Sequence, residues 1–237
     1  MCARSLRLPV ALSLLGVLLF LSWFLPAGHG IWQPIDEAVF FFFQQQLAAS
    51  PAFALFVGVT NVRAFDAVAF LVMLGLFFHH YRRASRKGRR LMLAMGLTML
   101  VAVFFAKQFD IAMSFERPSP TIFFAQQGVP VLRVHELTGL PAKDGSAVSF
   151  PGDHTMMLMI FAGFMARYFG TRTRAAVLAV LVLFSLPRLM SGSHWLTDDV
   201  VGAGSNCLIV LSWMLLTPLS DCLIHWGAKK LPPRLGG

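Results

Sequence analysis

The chain has 237 residues, of which 57% are hydrophobic and only 13% are charged. Charged residues make up about 25% of an average soluble protein, so this composition excludes an ordinary water-soluble domain and is typical of a polytopic membrane protein. The net charge of +9 does not indicate nucleic-acid binding, because Lys and Arg residues of membrane proteins gather in cytoplasmic loops. The cysteines, Cys2, Cys207 and Cys222, have neither paired nor metal-ligand spacing, so we expect no disulfide framework, no metal and no other cofactor.

Six apolar runs predict an all-α bundle of six transmembrane helices, in one domain that covers residues 1–237. The runs lie at about 9–26, 64–80, 91–112, 152–169, 174–187 and 200–217. Several are shorter than the roughly 20 residues that a straight span needs, so we extend them by a turn into their flanks. The first run is longer than the usual apolar region of a signal peptide, and we interpret it as an uncleaved anchor. We expect the tail from Lys229 to Gly237 to be a loose end.

The stretch 35–59 is also apolar, but polar residues and a proline interrupt it. The interruptions are Gln44 to Gln46 and Pro51, and Asn61 directly follows the stretch. We interpret this stretch as an interfacial or re-entrant element outside the membrane core. Two interpretations of the run Phe40 to Phe43 stay open, namely contact with lipid tails at the acyl boundary and an ordinary lipid-facing aromatic belt.

The distribution of positive charge predicts the orientation of the chain. With the N-terminus inside, the cytoplasmic loops hold 14 of the 20 Lys and Arg residues. Because basic residues mark cytoplasmic loops, we expect both termini in the cytoplasm. Three polar clusters, at 116–121, 149–154 and 188–199, then share the outer face. Polar groups that converge from separate loops at one end of a helix bundle are typical of a functional site.

The third cluster combines Arg188, His194 and Asp198 between two apolar runs. The carboxylate can orient and polarise the imidazole, the imidazole can attack as a nucleophile, and the guanidinium can hold an anion, without a metal. The alternative is a polar loop with a structural His–Asp pair, in which residues 197–199 cap the sixth span.

The second cluster predicts a helix start that faces an anion. We expect the helix to begin near Pro151, with Ser149 as its cap, so that its free N–H groups attract phosphate. Gly152 permits close approach of a ligand to the backbone. The alternative is a plain helix start, in which Asp153 only complements the helix dipole.

These clusters resemble the signatures of the type-2 phosphatidic acid phosphatase superfamily. The matching segments are Arg117-Pro118 for the end of the first signature, Pro151-Gly152-Asp153-His154 for the second, and Arg188-x5-His194-x3-Asp198 for the third. Longer blocks at 21–26, 60–66, 149–154 and 215–221 resemble the lipid A phosphotransferases of the Gram-negative inner membrane, which belong to that superfamily.

The resemblance implies a phosphoryl transfer, on the periplasmic face, from undecaprenyl diphosphate to the 1-phosphate of lipid A. His194 would be the nucleophile and form a phosphohistidine, Asp198 would orient and polarise it, and His154 would protonate the departing lipid phosphate. Arg117 and Arg188 would clamp the transferring group. Lipid phosphate phosphatases that use water share these residues, so hydrolysis of undecaprenyl diphosphate or another lipid phosphate stays open as the alternative. A transporter is disfavoured, because the spans carry few polar groups.

The chain departs from the family pattern at two places. The family usually has a lysine seven residues before the position of Arg117, and here that position is Asp110. Lys107, on roughly the same helical face, is a candidate replacement. In the second signature Gly152 replaces the usual serine and Asp153 the usual glycine. We hypothesise that Asp153 favours transfer over hydrolysis.

The loop 123–149 is the expected contact for the acceptor. It offers Arg133, His135 and Lys143 for anionic headgroups. A merely solvated loop is the alternative for all three residues.

Overall fold

The structure is a computed structural model that describes residues 6–113 and 115–232. Its helices are α1 (Arg7–Phe24), α2 (Trp32–Ala49), α3 (Pro51–Thr60), α4 (Arg63–Arg83), α5 (Arg86–Met113), α6 (Pro120–Gln126), α7 (Val134–Thr138), α8 (Asp153–Tyr168), α9 (Thr171–Met190), α10 (Gly204–Leu216) and α11 (Leu219–Lys230). A π-helical segment, Asp198–Ala203, leads directly into α10. The described chain forms helices, turns and loops apart from one isolated bridge between Val62 and Ala142, so the all-α prediction is confirmed.

Among the described residues, five helical segments are long and apolar enough to cross a membrane, and a sixth is added if the bent pair α2–α3 counts as one span. The five are α1, α4, most of α5, α9 and the segment Asp198–Leu216. The remaining predicted run, 152–169, forms the 16-residue helix α8. Each predicted run therefore forms a helix, with ends that differ by a few residues, and the chain is a multi-pass membrane protein.

Helices α8 and α10 form the centre of the bundle. Helix α10 packs on α1, α5 and α8, and α8 also packs on α9. Gly16 allows α1 to approach α10 closely, since a Cβ there would lie 2.9 Å from the carbonyl oxygen of Ser205. In contrast, only 6% of the apolar window of α4 is buried, against 61% of the window at Asp198–Leu216. The exposed apolar side chains of α4 therefore suit contact with lipid tails, which are as apolar as leucine.

A sharp bend interrupts residues 35–59 at Ser50 and Pro51, whereas Gln44 lies within α2. Helices α2 and α3 meet at an angle of 119°, because Ser50 ends one helix and caps the next, with Pro51 in its first turn. The two interpretations of the phenylalanine run were wrong for Phe40. That ring is only 3% exposed and stacks on a phenylalanine of α6, whereas Phe42 is exposed.

The C-terminal region contains a helix that hydropathy did not reveal. Helix α11 packs on α5 and buries Ser220 and Ile224. We expected a loose end from Lys229 onwards. This prediction was wrong for Lys229 and Lys230, which form the last residues of the helix. The rest of that expected tail, 233–237, lies outside the described residues.

Candidate active site

A polar cavity of about 340 Å³ lies where the second and third clusters meet. Its walls include His154 from α8, Arg188 from α9, and His194 from the segment that follows α9. Asp153 also lines this cavity. Within the described ranges, no group of three or more His, Cys, Asp or Glu side chains is placed to hold a metal ion. The structure thus brings both predicted histidines and one predicted arginine to a single site, which we call the catalytic cavity.

The ring of His194 is oriented by two acceptors. Its Nδ1 lies 3.0 Å from the carbonyl oxygen of Ser149 and 3.3 Å from Oδ2 of Asp198. Because neither oxygen can donate, Nδ1 carries the proton and Nε2 keeps its lone pair. Asp198 is itself held, since its Oδ2 accepts the backbone N–H of Trp195 at 2.8 Å. The arrangement suits a histidine nucleophile that attacks through Nε2.

The pKa of His194 is raised above its ordinary value. Burial by itself lowers the pKa, but the hydrogen bond and charge of Asp198, with the charge of Asp199, outweigh burial. The same carboxylates can stabilise the positive charge that the ring acquires when it becomes bonded to phosphorus. Because only the neutral ring attacks, the reactive fraction falls as the pH falls through this raised pKa.

Arg188 lines the cavity and carries an unsatisfied hydrogen-bond donor. Its side chain is buried, and its Nη2 donates to Oδ1 of Asp66 at 2.6 Å. Its Nη1 is buried without a hydrogen-bond partner in the part of the chain that the structure describes. An unsatisfied buried N–H is costly, so this atom is a natural donor to a phosphate oxygen. Sequence reasoning did not assign Asp66 to the site, although it lies in one of the longer family-like blocks.

Arg117 does not line the catalytic cavity. It is buried, and its Nη1 donates to Oδ1 of Asp198 and to Oγ1 of Thr197, both at 2.8 Å. Its Nη2 donates to Oδ2 of Asp36 at 2.7 Å. Asp36 in turn accepts the backbone N–H of Thr197 at 2.9 Å. We call these groups the Asp36–Arg117–Asp198 network; it connects the carboxylate that orients His194 to α2. Asp36 precedes Glu37 at the start of an apolar stretch, and this pattern carried no signal for a role at the site.

Ser149 and Gly152 have roles other than those predicted. Helix α8 begins at Asp153, close to Pro151 as predicted, but Gly152 is its N-cap residue, so the prediction of a Ser149 cap was wrong. The backbone N–H of Ser149 instead donates to the carbonyl oxygen of Arg117 at 2.9 Å. The N–H of Gly152 donates to the carbonyl oxygen of Asp198 at 2.9 Å, and Gly152 does not line the cavity. Its close neighbour is therefore the segment after His194, not a ligand.

Restoring the family's usual serine at Gly152 is expected to disturb the site. A Cβ built on Gly152 would overlap Oδ1 of Asp199. Gly152→Ser should lower activity by about tenfold or more and reduce thermal stability, as overpacking typically costs about 1–3 kcal/mol. In combination with Asp199→Gly, which makes room, the loss should be smaller than the sum of the two single losses. Additive losses of melting temperature and turnover would contradict this explanation.

The remaining candidate cations of the sequence, Lys107 and the three in the loop, lie in different settings. Lys107 forms an ion pair with Asp153, and Lys107 itself does not line the cavity. In the loop, Arg133 and His135 both bind the buried carboxylate of Asp144, at 2.7 Å and 2.8 Å. These two side chains thus stabilise the conformation of the loop. Lys143, in contrast, lines the catalytic cavity.

Comparisons with known proteins agree with the three signatures. The model of the PAP2 superfamily matches residues 90–220, a range that contains Arg117, His154 and His194. The chain is also 45% identical over 230 residues to the lipid A 1-diphosphate synthase of Escherichia coli (strain K12), in an alignment that covers 97% of this chain and 95% of that protein. No solved structure matches the chain. The chain therefore belongs to the PAP2 superfamily.

Proposed function

We propose that this chain is a phosphotransferase that moves a phosphoryl group from undecaprenyl diphosphate to the 1-phosphate of lipid A. The products are lipid A 1-diphosphate and undecaprenyl phosphate. One observation carries the chemistry: His194, His154 and Arg188 line the same cavity. The acceptor is inferred from the similarity to the lipid A 1-diphosphate synthase, which extends over nearly the whole chain.

In the first half of the reaction the protein takes the phosphoryl group from the donor. Nη1 of Arg188 holds oxygens of the terminal phosphate, and Nε2 of His194 attacks its phosphorus. The N–P bond forms while the P–O bond to undecaprenyl phosphate breaks, and His154 gives a proton to the departing oxygen. Asp198 compensates the positive charge on the phosphorylated ring. Positioning and charge stabilisation of this kind account for most of the catalysis of phosphoryl transfer.

In the second half, the 1-phosphate of lipid A attacks the phosphohistidine. An oxygen of that phosphate bonds to phosphorus while the N–P bond breaks, and His194 regains its lone pair. His154, now neutral, accepts a proton from the acceptor phosphate if the latter enters protonated. We assign Arg117 a positioning role, because its guanidinium binds Asp198 instead of the cavity.

We further propose that the protein lies in the bacterial inner membrane, with both termini in the cytoplasm and the catalytic cavity on the periplasmic side. The support is the charge pattern, in which 14 of 20 basic residues fall in the loops assigned to the cytoplasm. Residues 82–90 carry the largest group of them, at the junction of α4 and α5.

Labelled donor distinguishes transfer from hydrolysis. Purified protein in detergent would receive undecaprenyl diphosphate that carries ³²P in its terminal phosphate, with or without lipid A. We expect the label on lipid A as a 1-diphosphate, and no label on a matched lipid A that lacks only the 1-phosphate. Release of free phosphate alone, at the same rate with and without acceptor, would contradict the proposal and support a lipid diphosphate phosphatase.

A further inference from the structure

Lys143 lies where two cavities meet. It lines the catalytic cavity, and it also lines a second, more open cavity of about 550 Å³ formed by residues 133–145. Its backbone is anchored on both sides: its N–H donates to the carbonyl oxygen of Asn61 at 2.9 Å, and its carbonyl oxygen accepts from Oγ of Ser191 at 3.4 Å. The amide of Asn61 also donates to the carbonyl oxygen of Pro187 at 2.9 Å. These bonds hold the loop against the chain segments that carry Asp66 and Arg188.

The positive charges around the catalytic cavity differ in their partners. Arg188 pairs with Asp66, and Lys107 pairs with Asp153. Lys143, in contrast, forms no ion pair with any carboxylate of the residues that the structure describes. Burial and the nearby charge of Arg188 lower the pKa of Lys143, as expected for an ammonium that lacks a bound anion. The cavity therefore holds a cation that is available to an anionic ligand.

The proposed reaction requires a place for a second phosphate. In the first half-reaction a phosphate monoester leaves the phosphorus that His194 attacks, and in the second half-reaction another phosphate monoester approaches the same phosphorus. The two steps are the same chemistry in opposite directions, so the leaving and the entering phosphate use one subsite. Water carries no net charge and gains much less from a cation there than an anionic phosphate acceptor does.

We propose that Lys143 binds this second phosphate and thereby directs the phosphohistidine to a phosphate monoester instead of water. The proposal rests on the proposed function above. The ammonium would contact the leaving lipid phosphate in the first half-reaction and the acceptor phosphate in the second. Its position between the two cavities fits an acceptor that enters from the open side of the loop. At the sequence position of the superfamily's usual lysine stands Asp110, so in this chain the loop would supply a cation to the cavity.

The proposal is tested by measuring how the phosphoryl group of the labelled enzyme divides between lipid A and water. Protein carrying ³²P on histidine would be mixed with increasing lipid A, and label on lipid A would be compared with free phosphate. We expect Lys143→Met to lower the ratio of transfer to hydrolysis by about 10- to 100-fold, the usual range for a lost hydrogen bond to a charged group. Lys143→Arg should recover most of the ratio, because it restores a cation at this position. Lys230→Met, at the exposed end of α11, is the matched control and should behave as the wild type.

Two results would overturn the role of Lys143. One is an unchanged ratio in Lys143→Met, and the other is an equal loss of transfer and hydrolysis. If the wild-type protein transfers nothing to lipid A, the proposed function fails, and Lys143 is still tested by product inhibition of donor hydrolysis. Undecaprenyl phosphate occupies the same subsite, so its inhibition constant should rise about 10- to 100-fold in Lys143→Met. An unchanged inhibition constant would refute the proposal in that case.

Discussion

Replacement of His194 by asparagine is expected to reduce phosphoryl transfer by at least about 10⁴-fold, as is common when a catalytic nucleophile is removed. Asparagine keeps an N–H donor near the position of Nδ1, which faces Ser149 and Asp198, but it has no atom that can attack as Nε2 does. The variant should therefore fold and fail to become phosphorylated. The measurement is the rate of label transfer, together with acid-labile, alkali-stable ³²P on the protein, which is the stability pattern of phosphohistidine.

His154→Asn is the comparison for this result. His154 is assigned as the proton donor to the leaving group, so its loss should matter less for a substrate with a good leaving group, such as 4-nitrophenyl phosphate. The defect of His194→Asn should be equally severe with either substrate. Acid-labile label on the His194→Asn protein would show that another residue is the nucleophile.

Replacement of Arg117 by glutamine is expected to damage stability and activity together. The change leaves Asp36 and Asp198, both at most 1% exposed, without their shared guanidinium. Loss of one partner from a buried ion pair typically costs about 3–5 kcal/mol, so the melting temperature in detergent should fall by several degrees. Activity should fall by at least about 100-fold, because the carboxylate that orients His194 loses its own support. Arg117→Lys should recover little, since an ammonium cannot reproduce the forked hydrogen bonds.

A second substitution separates the structural part of this effect from the catalytic part. Asp36→Asn in the Arg117→Gln background removes a buried unpaired charge, so stability should partly recover while activity stays low. Arg167→Gln provides the control, because Arg167 forms a half-exposed pair with Asp221 at 4.0 Å and such pairs contribute about 1 kcal/mol or less. If Arg117→Gln retained the wild-type melting temperature, the network would not have the stabilising role described above.

Part of the site was predictable because its geometry is local. His194 and Asp198 are four residues apart, and a single turn brings their side chains together. Gly152 illustrates the limit of such reasoning. Its identity suggested close approach of a ligand, but the close neighbours come from Asp198 and Asp199, which are distant in sequence. The pattern alone could not indicate which backbone would pack there.

The sequence by itself determined the apolar spans, and it predicted the orientation of the chain and three polar clusters on one face. Hydropathy and charge are properties of short segments, and the bilayer acts on each segment separately. Only the tertiary structure decided which cation faces which anion. Arg117 meets Asp36 across 81 positions of the chain, and Lys143 reaches the catalytic cavity because its loop bonds to Asn61 and Ser191. Such pairings depend on how the helices and loops pack, and no local pattern encodes them.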